Sequence, residues 1–319
     1  MAVYTHLTTE ELAEFVAHYA VGALRSAKGI AEGVSNSNWL IETAGGRFIL
    51  TIYETRTDRE GLPFFLGLLD HLAEKGGPVP RVIHDRDGAA FRRIHDKPAA
   101  LIEYLPGVAP DRPDPAQAHA VGAALARLHR DAVDFGGTRR NTMDLPEWRR
   151  LLSGCGADGL DRIDPALESL VEPELTALER DWPSGLPRGI IHADLFPDNV
   201  LMLGDEVTGM IDFYFACEDL LAYDFAITHA AWAFDKGGGF RPEIAAALAQ
   251  GYQSQREFAR AEKNALPMLG RGAALRFVAT RAWDWLHTPA DAVVTRKNPM
   301  DFARRLAFYR DAGEEAFAL

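Results

Sequence analysis

Three oxygen-bearing side chains stand beside apolar runs of the chain, and their types could support phosphoryl transfer. Asp194 and Asp212 each follow a run that is typical of a strand, and Asn199 directly precedes another. Two carboxylates and an amide oxygen on neighbouring loops suit Mg²⁺, which prefers such ligands together with phosphate oxygens. Transfer to an alcohol also needs a carboxylate that receives the proton of the attacking hydroxyl. The pattern predicts Asp194 as this base and Asn199 and Asp212 as metal ligands.

Each of these residues alone also fits a solvated turn, where Asp and Asn are favoured. The spaced set, with every member beside a β-type run, favours the site instead. His192 precedes Asp194 by two positions. We expect it to support the catalytic loop through hydrogen bonds and not to bind a metal.

The elements that must position these residues begin with a small sheet. Thr8-Thr9-Glu10-Glu11 matches a capping box that opens an amphipathic helix. A second helix is predicted over about 59–75, from the spacing of its leucines and phenylalanines. The predicted strands lie within 24–53 and 80–104, and their turns are at Ala44-Gly45-Gly46 and Asp85-Arg86-Asp87-Gly88.

The remainder of the chain is predicted to be mainly helical after a proline-rich boundary at 106–115. One short β interruption falls at 189–212, around Asp194. The fold class is therefore α+β, with a nucleotide-binding lobe over 1–105 and a catalytic and substrate lobe over 106–319. Helices are predicted near 114–131, 144–153, 166–181, 219–235, 241–260, 262–287 and 298–313.

Composition limits the possible partners. The formal net charge of −12 disfavours nucleic acid, whose binding depends largely on neutralised phosphates. No apolar run approaches the ~20 residues of a membrane span. The two cysteines, Cys155 and Cys217, are too few for a disulfide framework, and the N-terminus lacks a signal-peptide pattern. We therefore expect a cytoplasmic protein without a nucleic-acid or membrane partner; the sequence does not predict an oligomeric state.

Three motifs resemble one family, the aminoglycoside-phosphotransferase and choline-kinase group of the protein-kinase-like fold. They are His192-x-Asp194-x4-Asn199, Asp212-Phe213-Tyr214 and the helix from Val121 to His129. The resemblance spans nearly the whole chain and implies a bilobed kinase that uses ATP and Mg²⁺. Asp224 matches the group's structural Asp, which braces the catalytic loop.

A longer likeness within that group is to its homoserine kinases. It implies transfer from ATP to L-homoserine, giving O-phospho-L-homoserine, a step toward threonine. The stretches that carry it are 38–43, 48–54, 62–66, 194–199, 281–286 and 298–300.

The resemblance also places the nucleotide. Kinases of this fold cover the phosphates with a hairpin between the first strands, and they meet adenine at the hinge between the lobes. A turn and a plain linker would look much the same. The predicted nucleotide-binding residues are Gly33, Ser35, Asn36 and Ser37 in the hairpin, Ile49 on the third strand, and Glu103 and Leu105 at the hinge.

One position departs from the pattern of the fold. Relatives carry Lys or Arg on the third strand, whereas Thr51 shares a face with Ile49 here. A neutral Thr cannot pair with a phosphate. The phosphates must then rely on Mg²⁺, on backbone donors or on a cation from elsewhere, with Arg47, Arg56 and Arg59 as candidates.

A homoserine pocket needs a cation for the carboxylate and an acid or aromatic face for the ammonium. Surface charge or core packing accounts equally well for each candidate. Those retained are Arg139 and Arg281 for the carboxylate, Glu218 for the ammonium, and Tyr214 and Trp283 as walls; Arg140, Arg296, Lys297, Asp219 and Trp285 are further options.

Two other functions stay open. The acceptor could be choline, a sugar or an aminoglycoside, or the chain could be an inactive nucleotide-binding regulator, which only Thr51 supports. Gly154-Cys155-Gly156-Ala157-Asp158-Gly159 matches a dinucleotide-binding fingerprint by its letters. It follows a helical stretch and not a strand, so we interpret it as a flexible loop.

Overall fold

The computed structural model describes residues 5–30, 36–54, 60–288, 296–317 and 319. Its strands are β1 (Leu24–Ile30), β2 (Ser37–Thr43), β3 (Gly46–Ile52), β4 (Val82–Ile83), β5 (Arg92–Ile94), β6 (Lys97–Glu103), β7 (Arg188–Ile191), β8 (Val200–Leu203), β9 (Glu206–Met210) and β10 (Cys217–Leu220). Its α-helices are α1 (Thr9–Ala17), α2 (Leu62–Glu74), α3 (Pro115–Asp131), α4 (Leu145–Cys155), α5 (Ala157–Ile163), α6 (Leu167–Asp181), α7 (Leu221–Trp232), α8 (Pro242–Gln255), α9 (Arg260–His287) and α10 (Met300–Ala312).

The N-terminal sheet is antiparallel, in the order β1-β2-β3-β6-β4, with β5 paired to β6. One face is buried against α1, which begins at the predicted capping box of Thr8. Because side chains alternate along a strand, the other face carries Leu40, Ile49 and Ile102, which lie opposite one another in register. All three are half-buried. The sheet therefore has an apolar patch on the face away from α1.

A third strand in the second half of this sheet was not predicted. The turn at 85–88 is present, and Asp85 accepts hydrogen bonds from the amides of Asp87 and Ala89 at 2.9 and 2.8 Å. A second tight turn, His95-Asp96, separates β5 from β6, with φ values of 47° and 60°. Two-residue hairpin turns with positive φ usually carry Gly. This turn has none, so the sequence pattern did not predict it.

The helical part is organised around α7, all of whose residues are buried. α3 packs closely on α8 because Gly122 and Gly251 lack side chains where the two helices meet. A Cβ on Gly251 would overlap the carbonyl of His119. The predicted helix over 219–235 is wrong at its start, since Cys217–Leu220 pairs with β7 and the chain turns helical only afterwards. The predicted loop at 154–159 is also wrong: α4 and α5 meet there at Gly156, whose φ is 65°.

The β8–β9 hairpin lies where the sheet meets the helices. Val108 exchanges two backbone hydrogen bonds of 3.0 Å with Met202 on β8, and the amide of Met210 on β9 donates to Pro78 at 2.7 Å. These bonds fix the two loops that carry the predicted site. Among the described helices, none is long and apolar enough to cross a membrane.

Candidate active site

A buried carboxylate organises the loop before Asp194. The two oxygens of Asp224, on α7, accept the amides of His192 and Ala193, both at 2.8 Å. His129 on α3 lies 2.9 Å from Asp224, and its other ring nitrogen contacts Tyr252 at 2.9 Å. Burial alone would raise the pKa of Asp224, but these hydrogen bonds hold that pKa below its usual range. The ionised carboxylate therefore anchors the loop, in agreement with the bracing role that the resemblance implied.

Ala193 occupies the left-handed region, with φ of 63°. An L-residue with a Cβ is strained there, so its conformation must be held by its neighbours. Asp224 fixes the amide of Ala193, and Nη1 of Arg276 on α9 donates to its carbonyl at 2.5 Å. The backbone is thereby turned so that Asp194 leaves the buried strand and faces a cavity.

His192 joins the loop to the strand that leads to Asp212. Its Nδ1 accepts the amide of Asp194 at 3.2 Å, and its Nε2 lies 3.0 Å from the carbonyl of Ile211. This pair of contacts requires a neutral ring that carries its proton on Nε2. Burial lowers the pKa of His192 and favours the same neutral form. These contacts place His192 between the two loops of the candidate site.

Asp194 and Asn199 lie in contact. The Asn199 amide nitrogen donates to the backbone carbonyl of Asp194 at 2.8 Å and lies 3.4 Å from its carboxylate. Burial raises the pKa of Asp194 to about 7, with Arg276 acting in the opposite sense and Asp212 adding to the rise. A carboxylate with such a pKa is suited to accepting a proton near neutral pH.

Asp212 follows β9 in the left-handed conformation, with φ of 66°. The amide of Ile211 donates to the carbonyl of Asn199 at 3.0 Å, so the two predicted ligands sit on adjoining backbone segments. Desolvation by the surrounding protein raises the pKa of Asp212 to about 6, with Asp198 adding to it. Its side chain remains open to the cleft.

These residues fit a hard divalent cation. The Asn199 nitrogen is held by Asp194, so its carbonyl oxygen is the atom left for a ligand. Within the described residues, no Lys, Arg or His nitrogen forms an ion pair with Asp194 or Asp212. Two carboxyl groups with raised pKa values and an amide oxygen make an all-oxygen set that lacks a positive partner, as Mg²⁺ would require.

A cavity of about 440 Å³ opens beside Asp194. Its wall combines both charges with apolar surface, and two of the predicted substrate residues, Arg281 and Trp283, line it. The lining residues are Met143, Glu147, Arg150, Leu151, Asp194, Phe196, Asp198, Asn199, Asp212, Phe215, Arg276, Phe277, Thr280, Arg281, Trp283, Asp284 and Lys297.

The other three predicted substrate residues are not part of this wall. Glu218 lies on β10, half-exposed, 3.9 Å from Arg188. Tyr214 packs against Tyr53 and Phe65 at the junction of the sheet and the helices. Arg139 lies over the ring of Phe65 and donates to the carbonyl of Ala216 at 3.1 Å.

On the nucleotide side, Gly33 and Ser35 lie outside the described residues. Asn36 and Ser37 are buried, and both bond to Glu54: Asn36 accepts its amide at 3.2 Å, and Ser37 donates to its carboxylate at 2.7 Å. Asn36 also forms a side-chain hydrogen bond with Tyr214, which lies at the junction of the sheet and the helices.

The strand and hinge positions are placed by the sheet. Ile49 belongs to the apolar patch, whereas Thr51 is buried and donates to Asn38 at 2.8 Å. Glu103, at the end of β6, donates its amide to Arg81 at 2.9 Å, and Leu105 packs over Gly209 of β9. The hinge therefore lies between the apolar patch and the β8–β9 hairpin.

Two of the cations proposed to replace the missing third-strand residue, Arg56 and Arg59, lie outside the described residues. The third, Arg47, sits near the β2–β3 turn, four residues from Thr51, and its nearest carboxylate is Glu42 at 3.8 Å. It is thus at the opposite end of β3 from Ile52, which pairs with Ser37.

Arg276 was missed from the sequence. It is 2% exposed, lines the cavity and holds the carbonyl of Ala193. A charged residue within the apolar run Ala273-Ala274-Leu275-Arg276-Phe277-Val278 was the available signal, because such a residue is rarely buried without a partner.

Comparisons with known proteins agree with this geometry. Residues 26–261 match the model of the phosphotransferase enzyme family APH, and the chain belongs to that family. It is 49% identical over 312 residues to homoserine kinases of Brucella canis and Brucella melitensis biotype 2, covering 97% of this chain and 95% of theirs.

Solved structures share the fold. A microcompartment-associated aminopropanol kinase has a TM-score of 0.69 and 22% identity, with 98% of this chain and 99% of that chain covered. The amicoumacin kinase hAmiN, in complex with AMP-PNP, Ca²⁺ and Ami, has a TM-score of 0.70 and 16% identity, covering 97% and 94%. The choline kinase of Cryptosporidium parvum Iowa II has a TM-score of 0.63 and 14% identity, covering 97% and 96%. The bilobed protein-kinase-like fold and the alcohol-directed phosphotransferase class are thereby confirmed.

Proposed function

We propose that this protein transfers the terminal phosphoryl group of ATP to the side-chain hydroxyl of L-homoserine, giving O-phospho-L-homoserine. The observation that carries the proposal is the 49% identity, over nearly the full length of both chains, to homoserine kinases. The site adds a base, an all-oxygen ligand set and a charged cavity in contact with both.

In the proposed reaction, Asp194 accepts the proton of the homoserine hydroxyl as that oxygen bonds to the γ-phosphorus and the bond to the β-bridging oxygen breaks. ADP leaves with the bridging oxygen. Asp224 and Arg276 keep Asp194 in place through the backbone of Ala193. Asp212 and Asn199 would hold Mg²⁺, which when bound would supply charge neutralisation for the phosphates. The apolar patch with Ile49 and the hinge at 103–105 receive the adenine.

The test is an ADP-release assay with Mg²⁺ and ATP across homoserine, choline, methylthioribose and kanamycin. We expect turnover on homoserine, with kcat/KM at least ~100-fold above the other alcohols. Turnover confined to a non-amino-acid alcohol would contradict the substrate. ATP binding without turnover on any of the four would instead support an inactive regulator, for which Thr51 remains the only argument.

The metal is tested separately. Chelation of Mg²⁺ should abolish turnover, and Asn199→Ala and Asp212→Ala should each raise the Mg²⁺ concentration needed for half-maximal rate by ~10-fold or more. Lys236→Met, an exposed change outside the site, is the matched control. We also propose a cytoplasmic location, supported by the two unpaired, buried cysteines, and cell fractionation would check it.

A further inference from the structure

One wall of the cavity contains a buried guanidinium that forms no ion pair with a carboxylate of the described residues. Arg276 is 2% exposed, and its Nε has no hydrogen-bond partner in the described structure. Its Nη1 donates to a neutral carbonyl, that of Ala193. Across the described ranges, no carboxylate lies within the 4.0 Å of an ion pair with it. Its Cζ lies over the rings of Phe215 and Phe277, at 5.3 and 5.0 Å, and its charge lowers the pKa of Asp194 from beyond ion-pair distance. A buried cation that lacks a directly bonded carboxylate is unfavourable, so this position favours an anion that arrives with a ligand.

A second guanidinium on the same helix is only weakly paired. Arg281 also lines the cavity and is 13% exposed, over the ring of Phe302 at 4.5 Å. Its contacts are the carbonyl of Asn298 at 3.2 Å and the carboxylate of Asp301 at 3.4 Å. Both are longer than the ~2.8 Å of a good charge-assisted hydrogen bond. Burial, together with the neighbouring Arg305, lowers the pKa of Arg281 to about 10, in keeping with a cation that lacks a full partner.

The helical geometry of α9 determines which side chains lie between Arg276 and Arg281. With about 100° of rotation per residue, Thr280 and Asp284 fall between Arg276 and Arg281 on the face that lines the cavity. The wall therefore presents two cations that flank a hydroxyl and a carboxylate. An α-amino acid has the matching pair of charges, one carboxylate and one ammonium on a single carbon.

The position of Arg276 relative to the base fits a short acceptor. The hydroxyl oxygen and the carboxylate carbon of extended homoserine lie roughly 5 Å apart, from ordinary bond lengths. A subsite for the carboxylate must then lie close to the base. Arg276 meets this condition, because it donates a hydrogen bond to the carbonyl of Ala193, the residue before Asp194.

The other two cavity cations fit this role less well. Arg150 already forms two hydrogen bonds, of 2.7 and 2.6 Å, with Glu147, and Lys297 is 59% exposed. Both are better solvated or better paired than Arg276.

We propose that Arg276 and Arg281 form the carboxylate subsite of the acceptor pocket, which selects amino-acid alcohols over amino alcohols that lack the carboxylate. The proposal rests on the function proposed above. In this proposal α9 supplies the residues that select the acceptor, while the loops after β7 and β9 supply the residues for phosphoryl transfer.

The first test compares L-homoserine with 3-aminopropan-1-ol, which is homoserine without its carboxylate. Arg281→Met should lower kcat/KM for homoserine by about 30-fold or more and leave that for 3-aminopropan-1-ol within ~3-fold. Arg150→Met, a cavity arginine already neutralised by Glu147, is the matched control and should leave the ratio of the two substrates unchanged. An equal loss on both substrates, or no loss on homoserine, would overturn the role of Arg281.

The second test isolates Arg276, whose replacement also loosens Ala193. Competitive inhibition by L-2-aminobutyrate, which carries the carboxylate and ammonium but no hydroxyl, reports binding without the chemical step. Arg276→Met should raise its inhibition constant by about 30-fold, and Arg276→Lys should raise it less. If Arg276 only supports the loop, kcat falls and the inhibition constant does not move, and the proposal fails for this residue. If the Arg276→Met variant does not fold, the inhibition constant of Arg276→Lys and the substrate ratio of Arg281→Met test the proposal instead.

Failure of the subsite and failure of the function remain distinct. If the wild-type protein does not phosphorylate homoserine, the function is wrong. If it does, and the arginine variants keep the preference for homoserine over 3-aminopropan-1-ol, only the subsite is wrong.

Discussion

The carboxylate of Asp224 accepts the amide of Ala193 at 2.8 Å, and Ala193 holds a φ of 63°. A residue in the first turn of a buried helix thus stabilises a strained residue next to the proposed base, more than thirty positions earlier in the chain. The position of Asp194 depends on this contact as much as on its own hydrogen bonds.

Asp224→Asn should therefore impair both catalysis and folding. The amide oxygen of Asn can accept one of the two backbone amides, but its NH2 group then faces the other donor, and the charge opposite His129 is lost. We expect the free energy of unfolding to fall by about 3 kcal/mol and kcat to fall by ~100-fold. Urea denaturation and steady-state kinetics would measure these effects. Asp205→Asn, in the exposed β8–β9 turn, should change stability by less than ~0.5 kcal/mol. An unchanged kcat in Asp224→Asn would show that the clamp is not needed for activity.

The rate should follow the ionisation of Asp194. Burial raises the pKa of this carboxyl to about 7, and only the ionised form accepts the hydroxyl proton. We predict that kcat/KM for homoserine, at saturating ATP, rises tenfold per pH unit below the pKa and levels off above about pH 7.5. Asp194→Ala should remove turnover while leaving ATP affinity nearly unchanged. A flat profile between about pH 5.5 and 8.5, or retained turnover, would mean that another group is the base.

The same raised pKa predicts how pH acts on the ligand-free protein. The folded state binds the Asp194 proton more tightly than the unfolded state, so this group contributes stability at low pH that is lost as pH rises from about 4 through about 7. Asp194→Asn cannot ionise and escapes this loss.

In thermal melts without nucleotide or metal, Asp194→Asn should gain on the wild type in Tm between about pH 5 and about pH 8, by a few degrees. Asp205→Asn should show no such gain. A difference that is constant across this range would indicate that the carboxyl titrates normally.

The close packing of α3 and α8 can be tested at Gly251. A Cβ at this position would overlap the carbonyl of His119 on α3, which belongs to the backbone and cannot move aside cheaply. Gly251→Ala should destabilise the protein by about 3 kcal/mol. Gly136→Ala, where a Cβ meets nothing within 4 Å, is the control and should be nearly neutral. Equal denaturation midpoints for the two variants would show that the helices separate at little cost.

Local patterns predicted the parts of the fold whose causes are local. The capping box at Thr8, the hairpin at residues 43–46 and most helices of the second part were predicted correctly, because capping, turn chemistry and helical periodicity act within a few residues. One error is local, because the His95-Asp96 turn lacks the expected Gly. Another lies where a distant contact prevails. Cys217–Leu220 becomes a strand because β7 is there to pair with it, and no signal within the segment requires this.

The amino-acid sequence by itself determined the chemistry of this protein. The residue types and spacing of Asp194, Asn199 and Asp212 indicated phosphoryl transfer, because few side chains can accept the proton and hold Mg²⁺. Only the tertiary structure decided which cations share the cavity with them. Arg276 and Arg281 both lie more than eighty positions after Asp194 in the chain. The apolar run around Arg276 indicates that this arginine is buried, but it does not indicate which cavity the side chain faces. Packing of α9 against α7 and α10 brings these two to the cavity and leaves Arg139 and Glu218 outside it.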